Sequence, residues 1–252
     1  MEKVYFIGAG PGDPELITVK GQKIIKEADV IIYAGSLVPR EVIDCHKAGA
    51  EIYNSAVLNL EEVMEIMISA VKNNKKVARV HTGDPAIFGA HREQMDMLDE
   101  YGIEYEVVPG VSSFTAAAAA IKRELTLPRV TQTIILTRIE GRTPVPESED
   151  LEKLAQVGAT MCIFLSISMI DKVVEKLRRG YRRNVPIAIV ERATWDNERS
   201  IIGTLDDIVD KVKEANITKC AQILVGDFID CDYDKSLLYD KTFTHMFREA
   251  KE

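Results

Sequence analysis

Residues 5–18 read YFIGAGPGDPELIT, an apolar run followed by a turn that carries three glycines. A glycine-rich turn between a strand and a helix is typical of dinucleotide-binding folds, whose third glycine stands three positions after the second. Here Gly12 comes only two positions after the second glycine, and Asp13 follows it. Pro11 removes a backbone donor, and an aspartate repels a pyrophosphate. The stretch therefore predicts an α/β fold whose first loop shapes a cavity wall rather than binding a phosphate.

Short β-rich runs alternate with amphipathic stretches over the whole chain. The predicted strands are KVYFIG, DVIIYAG, AEIYNS, KVARVHT and YEVVPG, then TIILTR, TMCIFLSI, PIAIVERAT and AQILVGDF. The predicted helices between them include LEEVMEIMISAVKN, GAHREQMDMLDEYG, FTAAAAAI, SEDLEKLAQVG, IDKVVEKLRRG and DDIVDKVKEAN. This order predicts two α/β domains with largely parallel sheets and helices on their faces.

The segment KRELTLPRVTQ interrupts this rhythm with a proline and no periodicity. We expect an N-terminal α/β domain over 1–120, a connection over 121–131 and a C-terminal α/β domain over 132–252. Each half is long enough to bury a core of its own.

Composition and charge narrow the class of protein. The 252 residues include 32 basic and 40 acidic ones, which gives a net charge of −8 and argues against a nucleic-acid binder. No apolar run is long enough for a membrane span, and the N-terminus lacks the apolar region of a signal peptide. Four cysteines without a CxxC pair indicate free thiols. We expect a cytoplasmic enzyme with neither a membrane nor a nucleic acid as partner.

Five turns follow predicted strands: GAGPGDPELIT, HTGDPAIFG, VPGVSSFTA, FLSIS and ERATWDNERS. In parallel α/β sheets the ligand crevice lies outside the carboxyl ends of the strands. Several loops of small residues at this edge predict a ligand that is held largely by main-chain contacts.

Five motifs, in the same order over almost the whole chain, resemble the tetrapyrrole methylase family: GAGPGDPELIT, ADVIIYAGSLV, TGDPAIFG, VPGVSS and ERAT. The resemblance implies transfer of a methyl group from S-adenosylmethionine to a tetrapyrrole carbon, with S-adenosylhomocysteine as product. It also implies an active site in the cleft between two α/β domains, and a homodimer. Adenosylmethionine carries no phosphate, which agrees with the first turn.

Two further stretches, YAGSLVP and LTLPRVTQTIILTRIEGRTPVPE, resemble the subgroup that methylates carbon 11 of precorrin-4 or cobalt-precorrin-4 in cobalamin biosynthesis. The expected substrate is therefore a corrin precursor. Whether it enters with cobalt stays open at this point.

The resemblance also implies the cofactor contacts. By position these are Pro11, Thr82, Gly83, Asp84, Ile87, Ser112, Ser113, Leu165 and Ala193. Small residues let the backbone approach the adenine and methionine groups, and a carboxylate can accept hydrogen bonds from ammonium or hydroxyl groups.

No catalytic residue follows from the resemblance. Related uroporphyrinogen methylases end the second strand with an aspartate proposed as a base, whereas Ala34 stands there in this chain. Ser36 lies nearby, but an unactivated serine is a poor base, so we expect it to orient the substrate.

A corrin precursor carries many carboxylates, and arginine pairs with carboxylates through two parallel hydrogen bonds. Arg129, Arg138 and Arg142 lie in a locally basic stretch of this acidic chain. They are the predicted substrate contacts. Cys45 and His46 are adjacent and lack further ligands at a suitable spacing, so we expect no metal site built by the protein.

Other functions remain open. The chain could be another methyltransferase of the same family, acting on a different precorrin carbon or of the diphthine synthase type. An NAD-dependent oxidoreductase is disfavoured by the misplaced third glycine and by the lack of an acidic residue at the end of the second strand.

Overall fold

The computed structural model of the protein describes residues 2–250. It divides into two compact units. The first comprises Met1–Ala116 and Arg192–Asn197, and the second comprises Ala117–Glu191 and Glu198–Glu252. The segment 121–131, expected to connect two domains, lies within the second unit. The expected domain limits, 1–120 and 132–252, stay a prediction.

The first unit contains a five-stranded sheet in which every pair of neighbouring strands is parallel. Its strands are β1 Val4–Gly8, β2 Val30–Tyr33, β3 Glu51–Asn54, β4 Val77–His81 and β5 Tyr105–Val108. Their order across the sheet is β3-β2-β4-β1-β5. β1 and β4 lie in the interior of the sheet and are almost entirely buried, as expected of parallel strands; β1 is apolar, whereas β4 also carries Arg79 and His81.

Helices connect these strands: α1 Val19–Glu27, α2 Leu60–Lys72, α3 Arg92–Glu100 and α4 Ser113–Ala120, which contains the boundary between the units. The α2 helix begins where Asn59 accepts a hydrogen bond from the backbone of Glu62, whose carboxylate accepts one from Asn59 in return. This reciprocal cap explains why the helix starts at residue 60. Its apolar face packs on Phe6 and Ile32 in the core.

The second unit contains β6 Ile134–Arg138, β7 Thr160–Phe164, β8 Pro186–Glu191, β9 Arg199–Thr204 and β10 Ala221–Val225. Its helices are α5 Leu151–Ala155, α6 Ile170–Tyr181 and α7 Ile208–Glu214. The strand order is β6-β7-β10-β8-β9. The core lies between the sheet and these helices, around side chains such as Met161 and Leu177.

The expected fold class, two α/β units, is confirmed, but the expectation of a largely parallel sheet is wrong for the second unit. Only β6 and β7 are parallel there, whereas β7–β10, β10–β8 and β8–β9 are antiparallel. The sequence pattern predicts a strand at PIAIVERAT and a turn after it, but not β9, Arg199–Thr204. The link between β8 and β9 is too short for a parallel crossover, which needs a dozen or more residues, so the two strands form a hairpin.

Between residues 2 and 250, no helix has the length and apolar character that a membrane crossing requires.

Candidate functional site

The carboxyl ends of β1, β4 and β5 meet at three glycines in the first unit. A Cβ atom placed on Gly8 would lie 2.6 Å from the Cα atom of Gly110 and 2.7 Å from the carbonyl oxygen of Gly83. Real side chains do not fit at such distances, so three backbone segments touch where any other residue would separate them. The result is a close contact of three backbone segments at the edge where ligands bind in α/β sheets.

The first and second loops are also bonded to each other. The backbones of Gly10 and Gly83 exchange two hydrogen bonds, of 2.8 and 3.3 Å, and the Ala9 amide donates to the His81 carbonyl at 2.8 Å. Both glycines have positive φ angles, of 80° for Gly10 and 59° for Gly83, which only glycine adopts at little cost. The glycine-rich turn after β1, residues 8–13, is therefore shaped by its contact with the TGDP loop.

The carboxylate of Asp84 holds this loop together. One of its oxygens accepts a hydrogen bond from the Ala86 amide at 2.8 Å, and the other accepts one from the Gly110 amide at 3.0 Å. A carboxylate oxygen has further lone pairs, so both can still accept from a ligand. Asp84 thus links the loops after β4 and β5, a role that the sequence motif did not reveal.

A segment far along the chain completes the first turn. The indole of Trp195 donates to the Pro11 carbonyl at 2.9 Å, and the Thr194 hydroxyl accepts from the Asp13 amide at 3.0 Å. A side chain on Gly12 would overlap the indole ring. Trp195 and Thr194 are not among the predicted site residues, although Thr194 is the last residue of the ERAT motif and Trp195 follows it directly.

Eight of the nine predicted cofactor residues lie in the first unit: Pro11, Thr82, Gly83, Asp84, Ile87, Ser112, Ser113 and Ala193. The TGDP loop lies against the start of α4, since a Cβ atom on Gly83 would be 3.7 Å from the Cα atom of Ser112 and 3.8 Å from the amide nitrogen of Ser113. The structure thus brings the loops after β1, β4 and β5 together at one sheet edge.

The ninth, Leu165, lies in the second unit, directly after β7. Its φ angle is 53°, and its side chain is 66% exposed. A leucine held in the left-handed region costs on the order of 1–3 kcal/mol, and such strain concentrates at ligand sites. The predicted cofactor contact at Leu165 stays a prediction.

The predicted substrate residues have different surroundings. Ser36 is exposed in the turn after β2. Arg129 is exposed and pairs with Asp234, with 2.9 Å between Nε and Oδ2. Arg142 is exposed, and within the described chain no partner is recorded for its side chain.

Arg138 is occupied by its own loop. Its guanidinium donates to the carbonyl oxygens of Ile139, Thr143 and Pro144, the last at 2.7 Å. It also lines a cavity of about 260 Å³ whose other charged residues are Glu140, Glu147, Glu149, Asp150 and Lys176. Four carboxylates around one lysine disfavour a polyanionic ligand at this point.

Two buried polar side chains lie below the TGDP loop, on β4. Burial lowers the pKa of Arg79 to about 10, so the guanidinium stays charged at neutral pH. Burial, and then the charge of Arg79, lowers the pKa of His81 to about 3, so the imidazole is neutral. Neither side chain is accessible to a substrate, because they are 6% and 4% exposed.

No group of three or more His, Cys, Asp or Glu residues suited to a metal ion occurs within residues 2–250. The cysteines are free, and burial raises the pKa of Cys162 to about 12, which makes it a poor nucleophile.

Comparison with known proteins identifies the family. Residues 3–209 match the family described as Tetrapyrrole (Corrin/Porphyrin) Methylases. The chain belongs to this family. The resemblance inferred from five sequence motifs is therefore confirmed.

The chain is 56% identical over 250 residues to the cobalt-precorrin-4 C(11)-methyltransferase of Methanocaldococcus jannaschii. That match covers 98% of this chain and 96% of the relative.

Two solved structures share the fold. The X-ray structure of a cobalamin biosynthetic enzyme, cobalt precorrin-4 methyltransferase, matches with a TM-score of 0.88 and 47% identity, covering 91% of this chain and 96% of the other. The uroporphyrin-III C-methyl transferase of Thermus thermophilus, complexed with S-adenosyl homocysteine, matches with a TM-score of 0.77 and 26% identity, covering 90% of this chain and 98% of the other.

Proposed function

We propose that this protein transfers a methyl group from S-adenosylmethionine to carbon 11 of cobalt-precorrin-4, or of precorrin-4 without the metal. The observation that supports this most is the close main-chain contact of Gly8, Gly83 and Gly110 at the carboxyl edge of the first sheet. The relative at 56% identity is named for the cobalt-containing substrate, so the cobalt form is the first candidate.

The proposed cofactor contacts are those named from the motifs. The amides of Gly10, Gly83 and Gly110 are bonded within the protein, but the carbonyl oxygens and the Asp84 carboxylate at this edge keep lone pairs for a ligand, without any phosphate subsite. The carboxylate of Asp13 is already bonded to the Glu15 amide at 2.8 Å, where it starts a short 3-10 helix. A negative charge at this helix start disfavours the pyrophosphate of NAD, which argues against the oxidoreductase alternative.

The reaction needs little side-chain chemistry. The corrin carbon forms a bond to the methyl carbon while the bond from that carbon to the sulfonium sulfur breaks, and the electron pair stays on sulfur in S-adenosylhomocysteine. Holding the two reactants in line can supply much of the rate increase. The proton lost later from the macrocycle needs a base that we do not assign, because Ala34 follows β2 in place of an acid.

We propose Arg142, Arg129 and Ser36 as the substrate contacts that the surroundings favour. Arg142 is free to meet a carboxylate, and Arg129 can exchange Asp234 for one. Arg138 stays in the proposed set only through its place in the motif, because its donors are engaged by backbone carbonyls.

Binding and product analysis test the proposal separately. Calorimetry should give heat for S-adenosylhomocysteine and none for NAD, and Gly83→Val should abolish that heat. Incubation with cobalt-precorrin-4 or precorrin-4 should add one methyl group at carbon 11 of the preferred form, as seen by mass spectrometry and NMR. Heat with NAD alone, or methylation at another carbon, would overturn the proposal.

A homodimer in the cytoplasm completes the proposal, by analogy with the family. Sedimentation at micromolar protein should give about twice the chain mass of 28.1 kDa. A single species at the chain mass would contradict the dimer.

A further inference from the structure

The loop between β4 and α3 is held in a conformation that its sequence does not favour. Phe88 and Ala90 have φ angles of 52° and 45°, in the left-handed region that side chains disfavour. A side chain on Gly89 would overlap the Pro85 carbonyl, so the loop folds tightly on itself. Such a conformation persists only where surrounding groups determine it.

A chain of buried polar groups reaches this loop from below. The Nε atom of Arg79 donates to the side-chain oxygen of Gln94 at 3.2 Å, and the amide nitrogen of Gln94 donates to the carbonyl oxygen of Ala90 at 3.0 Å. Arg79 also donates to the Ile32 carbonyl at 3.4 Å. The relay therefore runs from the end of β2, through β4 and α3, to the strained residue in the loop.

His81 adds a second attachment. It forms a hydrogen bond to the backbone of Gly89, whereas its Nε2 atom is buried without a partner within the described chain. Its ring lies 5.6 Å from that of His91 and 5.9 Å from that of Phe6, centroid to centroid. Two adjacent loop residues, Gly89 and Ala90, are thus bonded to side chains that the proposed chemistry does not use.

A buried arginine without a carboxylate partner destabilises a core, because its charge is removed from water. Apolar side chains of similar volume would pack there without the cost of removing a charge from water. The carbonyls of Ile32 and Val80 and the Gln94 oxygen are the acceptors it has. Its hydrogen bond to Gln94 fixes the orientation of that side chain, and hence of the Ala90 carbonyl that Gln94 contacts.

We propose that Arg79 and Gln94 are positioning residues for the methyl donor: they set the backbone of residues 84–90 and so the geometry of the loop that binds it. This rests on the proposed function, because it takes the TGDP loop as a cofactor contact. Neither residue touches the cofactor or the substrate.

Gln94→Glu separates positioning from core stability. The new carboxylate keeps an acceptor for Arg79 and gives the buried cation a counter-ion, but it cannot donate to the Ala90 carbonyl. The midpoint of thermal unfolding should stay within about 3 °C of the parent. The Kd for S-adenosylhomocysteine should rise about threefold to tenfold, the usual loss for one hydrogen bond.

Hydrogen exchange supplies a readout without ligand. Peptides that cover residues 82–91 should exchange faster in Gln94→Glu than in the parent, with unchanged exchange in peptides from α2. If exchange is faster but the parent binds no S-adenosylhomocysteine, the role of Gln94 in holding the loop stands and the proposed function fails.

Thr160→Val is the matched control. Thr160 is fully buried in the second unit and its hydroxyl donates to the Leu125 carbonyl at 2.8 Å, so valine also removes a buried side-chain donor to a backbone carbonyl. We expect lower stability and an unchanged Kd. If both variants raise the Kd alike, or if Gln94→Glu changes neither Kd nor exchange, the positioning role is wrong.

Discussion

The indole nitrogen of Trp195 donates a hydrogen bond of 2.9 Å to the carbonyl oxygen of Pro11, 184 positions earlier in the chain. The Arg192 guanidinium lies over the same indole, 5.8 Å from the ring centre. Because Trp195 is the only tryptophan, its fluorescence reports on the turn that opens the proposed cofactor site.

Saturating S-adenosylhomocysteine should therefore change the emission of the protein. A ligand beside Pro11 alters the hydrogen bond or the solvent exposure of the half-buried ring. The measurement is a fluorescence titration, with Trp195→Phe as the control that should be silent. An unchanged spectrum at a concentration where calorimetry shows full binding would place the ligand away from this turn.

Gly110→Ala should damage the site through overpacking. The added methyl group would overlap the Gly83 carbonyl and lie 2.8 Å from the Cα atom of Gly8. We expect a loss of about 1–3 kcal/mol in the free energy of unfolding, and weaker binding of S-adenosylhomocysteine.

Gly141→Ala is the control for that change, because its new methyl group would meet only the mobile end of Met169, at 3.3 Å. Chemical denaturation should show a change below about 0.5 kcal/mol there. Equal effects in the two variants would mean that the three-glycine contact is not tight.

The arginines should separate by their surroundings. Arg142→Ala and Arg129→Ala should raise the KM for the corrin substrate about tenfold to a hundredfold each, at unchanged cofactor affinity, because each removes a charged partner. Arg138→Ala should instead lower the melting temperature, because three backbone carbonyls lose their donor.

Steady-state kinetics at two salt concentrations tests this assignment, since exposed charge pairs weaken as salt rises. A normal KM in both Arg142→Ala and Arg129→Ala would locate the substrate carboxylates elsewhere.

His81 makes stability depend on pH. Its pKa is lowered by burial from 6.5 to about 3, so between these values the unfolded chain binds more protons than the folded chain. The contribution of neutral His81 to the free energy of unfolding is therefore complete above about pH 6.5. It is lost as the pH falls toward 3, at up to about 1.4 kcal/mol per pH unit.

His81→Gln cannot take up this proton, so its stability should fall less steeply between pH 6 and 4. The lowered pKa of His91 acts in the same direction and remains in the variant. Denaturation at each pH gives both slopes, and parallel curves would show that His81 does not titrate on unfolding.

Much of the fold followed from local pattern. The helix predicted from LEEVMEIMISAVKN is α2, and GAHREQMDMLDEYG contains α3. Apolar spacing is a property of the chain itself and survives folding. Strand direction in the second sheet is not a local property, because it depends on which strands become neighbours. The sequence does not predict β9 because an exposed edge strand such as RSIIGT has little apolar pattern.

The candidate site was predictable in part for a similar reason. Glycine turns after strands indicated the ligand edge, and the family resemblance supplied the residue positions. The contacts that shape the turn were not predictable, because Thr194 and Trp195 act on residues more than 180 positions away. Nor could a basic stretch of sequence reveal that the Arg138 guanidinium donates to backbone carbonyls of its own loop.

The first unit takes its last six residues, 192–197, from late in the chain. During synthesis, residues 1–116 leave the ribosome well before this segment, by several seconds at about 5–20 residues per second. Throughout that interval the Pro11 carbonyl lacks the hydrogen bond that the Trp195 indole later donates. A nascent chain therefore passes through a stage in which its first sheet can form while the turn at Pro11 still lacks its hydrogen bond to Trp195.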